Sequence, residues 1–157
     1  MAKKSAGLLV YHYFNEVLKV LLVRPGGPFF IKKDLGIWSI PKGEYEDGEY
    51  PLAVAKRELE EETGNVIISD NFIALTPVKI KSGKLITAWA VAAYFEQPFI
   101  SSNLFTMEWP PKSGKQQLFY ETDDAAYYTI EEAKAKINAG QLPFLDELVK
   151  KLQENGN

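Results

Sequence analysis

Residues 56–64, KRELEEETG, place four glutamates within five positions: Glu58, Glu60, Glu61 and Glu62. This segment is expected to be helical, because Pro51 suits the first position of a helix and Gly64 suits the position just past its end. Like charges at helical spacing destabilise an exposed helix by about 0.2–0.5 kcal/mol per (i, i+4) pair. Keeping so much negative charge on one helix therefore calls for a functional reason.

The helical period divides these glutamates into two groups. At 3.6 residues per turn, Glu58, Glu61 and Glu62 fall within about a 100° arc, and Glu60 points away towards solvent. The neighbouring arc is apolar and is expected to face the core through Leu52, Ala55, Leu59 and Thr63. Three adjacent carboxylates raise one another's pKa values unless a cation offsets their charge. A hard divalent cation would do so, whereas an ordinary charged solvent face is the other interpretation of this stretch alone.

The sequence of the loop before this helix favours a cation site over an ordinary charged solvent face. Gly43 lies six positions before Glu49, which lies eight positions before Arg57, the residue that opens the sequence RELEEETG. This spacing matches the Nudix box, Gly-x5-Glu-x7-Arg-Glu-apolar-x-Glu-Glu-x-Gly-apolar, and the chain therefore resembles the Nudix hydrolase family. One position departs from the box, because Asn65 takes the last apolar slot and Val66 follows it. We expect only a small shift where the chain leaves the helix.

The resemblance extends beyond the box. The segments AGLLVY, WSIPKGEYEDGE, EWPPKSG and PFLDEL are similar to one bacterial branch of predicted Nudix NTP pyrophosphohydrolases. The resemblance implies an α/β fold over a single domain, residues 1–157, built as an α/β/α sandwich with a mixed, partly antiparallel sheet. It also implies hydrolysis of a nucleoside diphosphate linked to another moiety, with Mg²⁺ or Mn²⁺ as the cofactor.

The resemblance assigns roles to individual residues. The family's metal ligands map onto three carboxylates and one backbone carbonyl, those of Glu58, Glu61, Glu62 and Gly43. Arg57 is similar to the family arginine that orients a carboxylate, although a surface ion pair is the plainer interpretation. Glu49 is expected to close the loop by hydrogen bonding or to assist the metal site.

The general base is left open between two locations. Nudix enzymes place this residue differently, so Glu58 or Glu61 could serve within the box. Outside it, Glu121 is the first choice, because it precedes the aromatic Tyr127 by six residues, a spacing that resembles the catalytic loop of related enzymes. Asp123 and Asp124 are further candidates, and each could equally be a solvated loop acid.

Candidate substrate contacts are lysines and aromatic residues. Phosphate could be bound by lysines of the predicted loops 24–36, 41–50 and 108–117, although each alone is a common surface charge: Lys32, Lys33, Lys42, Lys112 and Lys115. A nucleobase could stack on an aromatic residue, although aromatic residues on strands usually belong to the core: Phe29, Trp38, Tyr45 and Trp109. Among these we expect Lys42, Lys112, Lys115 and Trp38 to bind substrate. His12 lies in a predicted strand, and we assign it a structural role.

Local patterns predict the other elements. AGLLVYHYF and VLKVLLV form a hairpin around Asn15-Glu16, IWSI is a short buried strand, and KLITAWAVAAYF is a long strand near the centre of the sheet. NVIIS and FIALTPVKI are extended, whereas PKGEYEDGEY and EWPPKSGKQQ are loops. Thr129 and Glu132 form a capping box for a helix that ends near Gly140, and Pro143 begins the last helix.

Composition restricts the function classes. The 157 residues carry a net charge of −3, so no overall basic field attracts nucleic acid or an anionic membrane. No cysteine is present, which excludes disulfides, thiolate metal sites and thiol nucleophiles. The start of the chain resembles a strand more than a signal peptide, and the apolar run 86–95 is too short to span a bilayer. A cytoplasmic protein acting on a small nucleotide is expected, either as a monomer or as a homodimer.

The sequence narrows the substrate only partly. The SQPWPF array of NADH-cleaving relatives is missing, Lys81 stands where ADP-ribose hydrolases carry a proline, and no tyrosine occupies positions 80–83. The closing segment TIEEAKAKINAGQLPFLDEL is similar to the end of diadenosine-tetraphosphate hydrolases. We therefore expect hydrolysis of a nucleoside polyphosphate or dinucleoside polyphosphate. The alternatives are a pyrophosphatase that removes dNTPs or modified nucleotides, and a non-catalytic Nudix-like sensor.

Overall fold

A mixed β-sheet with helices on both faces forms the body of the computed structural model, which describes residues 3–155. In this range the strands are β1 (Lys4–Phe14), β2 (Val17–Pro25), β3 (Lys42–Glu44), β4 (Phe72–Ala74), β5 (Val78–Lys79), β6 (Leu85–Ala92), β7 (Leu104–Glu108), β8 (Gln116–Tyr120) and β9 (Thr122–Thr129). The helices are α1 (Pro51–Thr63), α2 (Ile130–Lys136) and α3 (Leu142–Glu154), with a 3-10 turn at Ala139–Gln141.

The main sheet has the strand order β4-β6-β1-β2-β9. Strands β1 and β6 pair in parallel and the other neighbours pair antiparallel, while the short strands β3 and β5 pair with β1 and β6. The predicted hairpin at Asn15-Glu16 is confirmed, and both residues have positive φ, as a tight turn requires. The long strand β6 lies next to the central strand β1, close to its predicted place.

Two apolar clusters, one on each face of the main sheet, hold the helices against it and so produce the three layers. Successive residues of a strand point to opposite faces, so Leu8 packs with α1 on one side and Leu9 packs with α3 on the other. Leu21 and Leu22 of β2 divide in the same way. The continuous buried run of β1 follows from this arrangement, because both faces of the strand are covered. The predicted α/β/α sandwich is confirmed.

The helix ends follow the predicted signals with one difference. Helix α1 begins at Pro51 and is closed by Gly64, whose φ of 83° is easy only for glycine. The capping box of Thr129 and Glu132 is formed at the start of α2. Helix α2 ends at Lys136 and not near Gly140, because Ile137 takes an extended conformation. In the last helix Pro143 is the second residue, after Leu142.

Three predicted segments differ from the structure. IWSI is not a strand, although Trp38 and Ile40 are buried, because its pairing is limited to isolated bridges at Trp38 and Ser39. The predicted loop PKGEYEDGEY contains β3, and the predicted extended segment NVIIS is irregular. The predicted loop 108–117 is mainly the turn of a hairpin, β7–β8, which forms a two-stranded sheet of its own. Within residues 3–155, no helix is long and apolar enough to cross a membrane.

Candidate active site

Helix α1 presents its glutamates as the helical period predicts. Its buried residues are Val54, Ala55, Leu59 and Thr63, so the core face is displaced slightly from the predicted one and Leu52 is only partly buried. Glu58, Glu61 and Glu62 are partly buried beside that face, whereas Glu60 is exposed. Packing of the apolar face against β1 therefore fixes the three carboxylates at the edge of the core.

Strand β3 comes very close to these carboxylates. A Cβ atom placed on Gly43 would lie 2.0 Å from Oε1 of Glu58, a distance that no real Cβ atom shows. The backbone N–H of Lys42 donates to Oε2 of Glu62 at 2.8 Å. Pairing of β3 with β1 holds Gly43 opposite Ala6. Only glycine at position 43 lets the backbone approach Glu58 this closely.

Arg57 lies among the surrounding carboxylates. Its Nε is 3.8 Å from Oε2 of Glu58 and 3.8 Å from Oε1 of Glu61. Its Nη1 is 3.3 Å from Oε2 of Glu49, whose Oε1 accepts the backbone N–H of Glu46 at 2.8 Å. Glu49 thus closes the loop before α1 and also positions the arginine. The predicted roles of both residues are compatible with these contacts.

Burial and mutual repulsion raise the pKa values of two carboxyl groups. Burial, a hydrogen bond with Glu61 and the charge of Glu61 raise the pKa of Glu58 to about 7. Burial is also the main cause for Glu62, whose pKa lies well above its ordinary value, and the charge of Glu58 adds to it. Glu121 raises the pKa of both groups further. The cluster therefore holds more negative charge than its protein surroundings neutralise.

A cation would relieve this repulsion, and the donor chemistry of the cluster suits Mg²⁺ or Mn²⁺. The carboxylate oxygens and the carbonyl beside them are hard ligands, which such ions prefer. Within residues 3–155, no three acidic or histidine side chains are already arranged as a metal-binding group. Mg²⁺ usually keeps several waters and shares substrate phosphate oxygens with one or two carboxylates, so it does not need a closed protein cage.

A cavity of about 250 Å³ opens beside the carboxylates, and we call it the acidic cleft. Its lining includes the charged residues Lys42, Glu62 and Glu121 and the neutral polar residues Ser39, Asn138 and Gln141. Burial, followed by the charge of Lys84, lowers the pKa of Lys42. The acidic cleft therefore combines an ammonium group, the carboxylates and neutral hydrogen-bonding groups.

The structure separates the three candidate loop acids. Glu121 lines the acidic cleft and influences Glu58 and Glu62. Asp123 is instead paired with Arg24, with Oδ2 and Nη1 2.7 Å apart. Asp124 accepts the backbone N–H of the next residue at 2.8 Å. Of the three, Glu121 is the acid that the structure brings to the metal-ligand candidates.

Trp38 is not a stacking residue. Its side chain is buried, its Nε1 donates to Asp34 at 2.8 Å, and its ring packs edge-on against Tyr128. No face of the indole is free for a nucleobase, so the prediction of substrate binding by Trp38 is wrong. Tyr45 is partly buried and packs against the apolar cluster that contains Val54 and Leu59 of α1.

Lys112 and Lys115 lie in the exposed turn between β7 and β8 and do not line the acidic cleft. Lys32 and Lys33 are exposed in the loop after β2 and do not line it either. Lys42 is therefore the candidate lysine that accompanies the carboxylates. His12 packs among aromatic rings, with Phe14 edge-on at 4.9 Å and Tyr94 at 5.1 Å between ring centroids, in agreement with a structural role.

Sequence reasoning missed the neutral polar residues that line the acidic cleft. Gln141 is buried, its Oε1 accepts the N–H of Ile40 at 3.0 Å, and its Nε2 donates to Oγ of Ser39 at 3.0 Å. The available signal was a glutamine directly before the Leu-Pro start of α3. Its contacts span about a hundred positions of the chain, so local pattern alone does not reveal them.

The family model described as "NUDIX domain" matches residues 3–148, nearly all of the chain. This chain belongs to the Nudix family. Nudix hydrolase 25 of Arabidopsis thaliana is 45% identical to it over 42 residues, which cover 27% of this chain and 23% of that protein. The chain therefore matches less than a quarter of that relative's length.

Solved Nudix structures share the fold. The NUDIX domain of Shewanella oneidensis NrtR, solved with ADP ribose, is 16% identical with a TM-score of 0.66, over 97% of this chain and 89% of that chain. An Ap4A hydrolase of C. elegans, solved as a binary complex, is 21% identical with a TM-score of 0.63, over 98% and 99%. At these identities the likeness establishes the fold and not the substrate.

Proposed function

We propose that this Nudix protein is a divalent-metal-dependent pyrophosphohydrolase that cleaves a P–O–P bond in a nucleoside polyphosphate or dinucleoside polyphosphate. The observation that carries this proposal is the carboxylate cluster beside Gly43. Burial and repulsion raise the pKa of two of its members, a cost that a bound cation would remove. One Nudix domain over residues 1–157, a cytoplasmic location and a monomeric or homodimeric state stay predictions.

Glu58, Glu61, Glu62 and the carbonyl of Gly43 would hold the metal. When bound, Mg²⁺ or Mn²⁺ neutralises charge on the phosphate oxygens and lowers the pKa of an attacking water. Arg57 orients Glu58 and Glu61, since it lies 3.8 Å from an oxygen of each.

Glu121 is our proposed general base. Its carboxylate lines the acidic cleft, where it would accept the proton of water during attack on phosphorus. Lys42, which also lines the acidic cleft, would contact a phosphate oxygen. Positioning and charge stabilisation provide most of the catalysis of phosphoryl transfer, so no covalent intermediate is required.

The test is a panel of dinucleoside polyphosphates, NTPs, dNTPs, ADP-ribose and NADH, incubated with the protein and Mg²⁺ and resolved by chromatography. Glu61→Gln is expected to lower turnover by about 100-fold or more, because several kcal/mol of charge stabilisation are lost. Glu60→Gln is the matched control, since Glu60 is exposed on the same helix.

Each outcome of the panel is informative. Turnover confined to dNTPs or modified nucleotides would favour the sanitising alternative. Saturable binding of a nucleotide without hydrolysis of any compound would favour the sensor. Equal loss of turnover in Glu60→Gln and Glu61→Gln would remove the carboxylate argument.

A further inference from the structure

A second and mostly apolar pocket lies next to the acidic cleft. It has a volume of about 470 Å³ and lies between the segment after β2 and the hairpin β7–β8. We call it the hairpin pocket, and its lining includes Ile31, Leu104, Trp109, Gln117, Leu118 and Tyr120. This volume lies within the usual range of small-molecule sites, about 300–1,000 Å³.

The hairpin pocket leaves apolar side chains in solvent. Ile31 is 71% exposed and Leu118 is 63% exposed, while Tyr120 and Leu104 are about half exposed. Large apolar side chains clustered in this way commonly mark a binding site. Its lining residues include one acid, Asp123, and no lysine or arginine. An apolar or aromatic occupant therefore suits the pocket better than a phosphate group.

Internal hydrogen bonds fix the turn that carries Trp109. The Glu108 carboxylate accepts the backbone N–H groups of Lys112 at 3.0 Å and Gly114 at 3.1 Å. Nε2 of Gln117 donates to the carbonyl of Trp109 at 2.8 Å. The Trp109 ring meets Phe29 edge-on, with centroids 5.4 Å apart. A turn held in this way needs little further ordering when a ligand binds.

Arg24 fixes the opposite side of the hairpin pocket. Its Nη2 donates to the carbonyl of Lys33 at 2.8 Å and also to that of Phe30. Its Nη1 is 2.7 Å from Oδ2 of Asp123, at the start of β9. The segment after β2 is therefore tied to strands β2 and β9 of the main sheet.

The two pockets share a wall formed by residues 25–27 and 120–123. The N–H of Gly26 donates to the carbonyl of Glu121 at 2.9 Å, and a Cβ atom on Gly26 would lie 2.0 Å from the carbonyl oxygen of Tyr120. Glu121 and Thr122 line the acidic cleft, whereas Tyr120 and Asp123 line the hairpin pocket. A phosphate chain that passes Glu121 would thus bring its far end to the hairpin pocket.

We propose that the hairpin pocket binds the second nucleobase of a dinucleoside polyphosphate. This inference rests on the proposed function and selects, within it, substrates with a nucleoside at both ends of the phosphate chain. A base has apolar faces, which the aliphatic and aromatic lining accommodates, and a polar edge, which Gln117 and Asp123 can meet. A nucleoside triphosphate has one base, and we expect it to leave the hairpin pocket empty.

The test compares diadenosine tetraphosphate with ATP, both with Mg²⁺, on the full chain and its variants. Leu118→Asp and Trp109→Ala are expected to lower kcat/KM for diadenosine tetraphosphate by about tenfold or more, because base stacking and apolar contact are lost. The kcat/KM for ATP is expected to change by less than about twofold. Ile68→Asp is the matched control, because Ile68 is 97% exposed and lines neither pocket.

Calorimetric binding separates this inference from the proposed function. In the Glu61→Gln background, Leu118→Asp is expected to weaken binding of diadenosine tetraphosphate about tenfold and to leave ATP binding unchanged. This result supports the hairpin pocket even if the wild-type protein hydrolyses no compound, an outcome that would refute the proposed function alone. Equal effects on both ligands, or no effect on either, overturn the inference. Thermal melts check that each variant is folded.

Discussion

Replacing Glu58 by glutamine tests whether the carboxylate cluster destabilises the metal-free protein. The pKa of Glu58 rises from an ordinary 4.5 to about 7 in the folded state, and its side chain is only 16% exposed. Between these two values the folded state binds more protons than the unfolded state, so stability falls as the pH rises. The stabilising contribution of the protonated carboxyl is present below pH 4.5 and is lost as the pH passes about 7.

The size of the effect follows from the shift. One pKa unit corresponds to about 1.4 kcal/mol, so the shift of Glu58 corresponds to about 3 kcal/mol of folding free energy above pH 7. In a chain of this length 1 kcal/mol moves Tm by about 2–4 °C. Glutamine keeps the shape of the side chain without its charge. Glu58→Gln is therefore expected to raise Tm at pH 8 by about 6–12 °C and to change it little at pH 4.5.

The assay is a thermal melt followed by circular dichroism in EDTA at pH 4.5 and pH 8. Glu60→Gln, which removes an exposed charge from the same helix, is expected to leave Tm nearly unchanged at both pH values. Saturating Mg²⁺ should stabilise the wild-type protein more than Glu58→Gln, since ligand binding to the folded state raises its stability. A gain of equal size at both pH values, or no gain at pH 8, would refute the reasoning.

Two further variants test the backbone around the cluster. Gly43→Ala places a methyl group 2.0 Å from Oε1 of Glu58, so we expect weaker Mg²⁺ binding and turnover at least about tenfold lower, measured by metal titration and kinetics. Normal turnover in a folded Gly43→Ala protein would show that the close approach is unnecessary. Asn65→Leu restores the apolar slot but removes two 3.0 Å hydrogen bonds to the carbonyls of Gln97 and Pro98, so we expect a loss of about 1–3 kcal/mol in urea unfolding. Unchanged stability would mean that these carbonyls find water instead.

The sequence predicts helix α1 and its carboxylates because every signal for them is local. The cap at Gly64, the proline at the start and the 3.6-residue period all lie within one short segment, and they agree with one another. The hairpin of β1 and β2 is predicted for the same reason. The resemblance to the Nudix box also implies that Gly43 lies near Glu58, although the approach itself depends on the pairing of β3 with β1.

The missed features depend on distant contacts. Trp38 has the character of a stacking residue in the sequence, yet Tyr128 and Asp34 enclose it, and Tyr128 is ninety positions away. The sequence did not predict the hairpin β7–β8, because Pro110 and Gly114 in its turn make the whole segment resemble a loop. Glu121 was the preferred one of three candidate loop acids in the sequence, and its place between β8 and β9 is what brings it to the acidic cleft.

The end of helix α1 connects the metal-ligand candidates to Glu121 through backbone hydrogen bonds. The last carbonyls of any helix lack a partner within the helix. In this chain the carbonyl of Thr63 accepts the N–H of Ile100 at 2.7 Å, and that of Glu61 accepts the N–H of Asn103 at 3.1 Å. The carbonyl of Asn103 then accepts the N–H of Glu121 at 2.8 Å.

Asn65 extends this connection, because its amide donates to two carbonyls of the segment that precedes Ile100. An apolar residue in this slot of the box could not make those bonds. From the sequence we expected the departure at Asn65 only to shift the helix exit slightly. The structure shows that Asn65 also makes hydrogen bonds that an apolar residue could not make. It helps to hold the segment that places our proposed base beside the carboxylates.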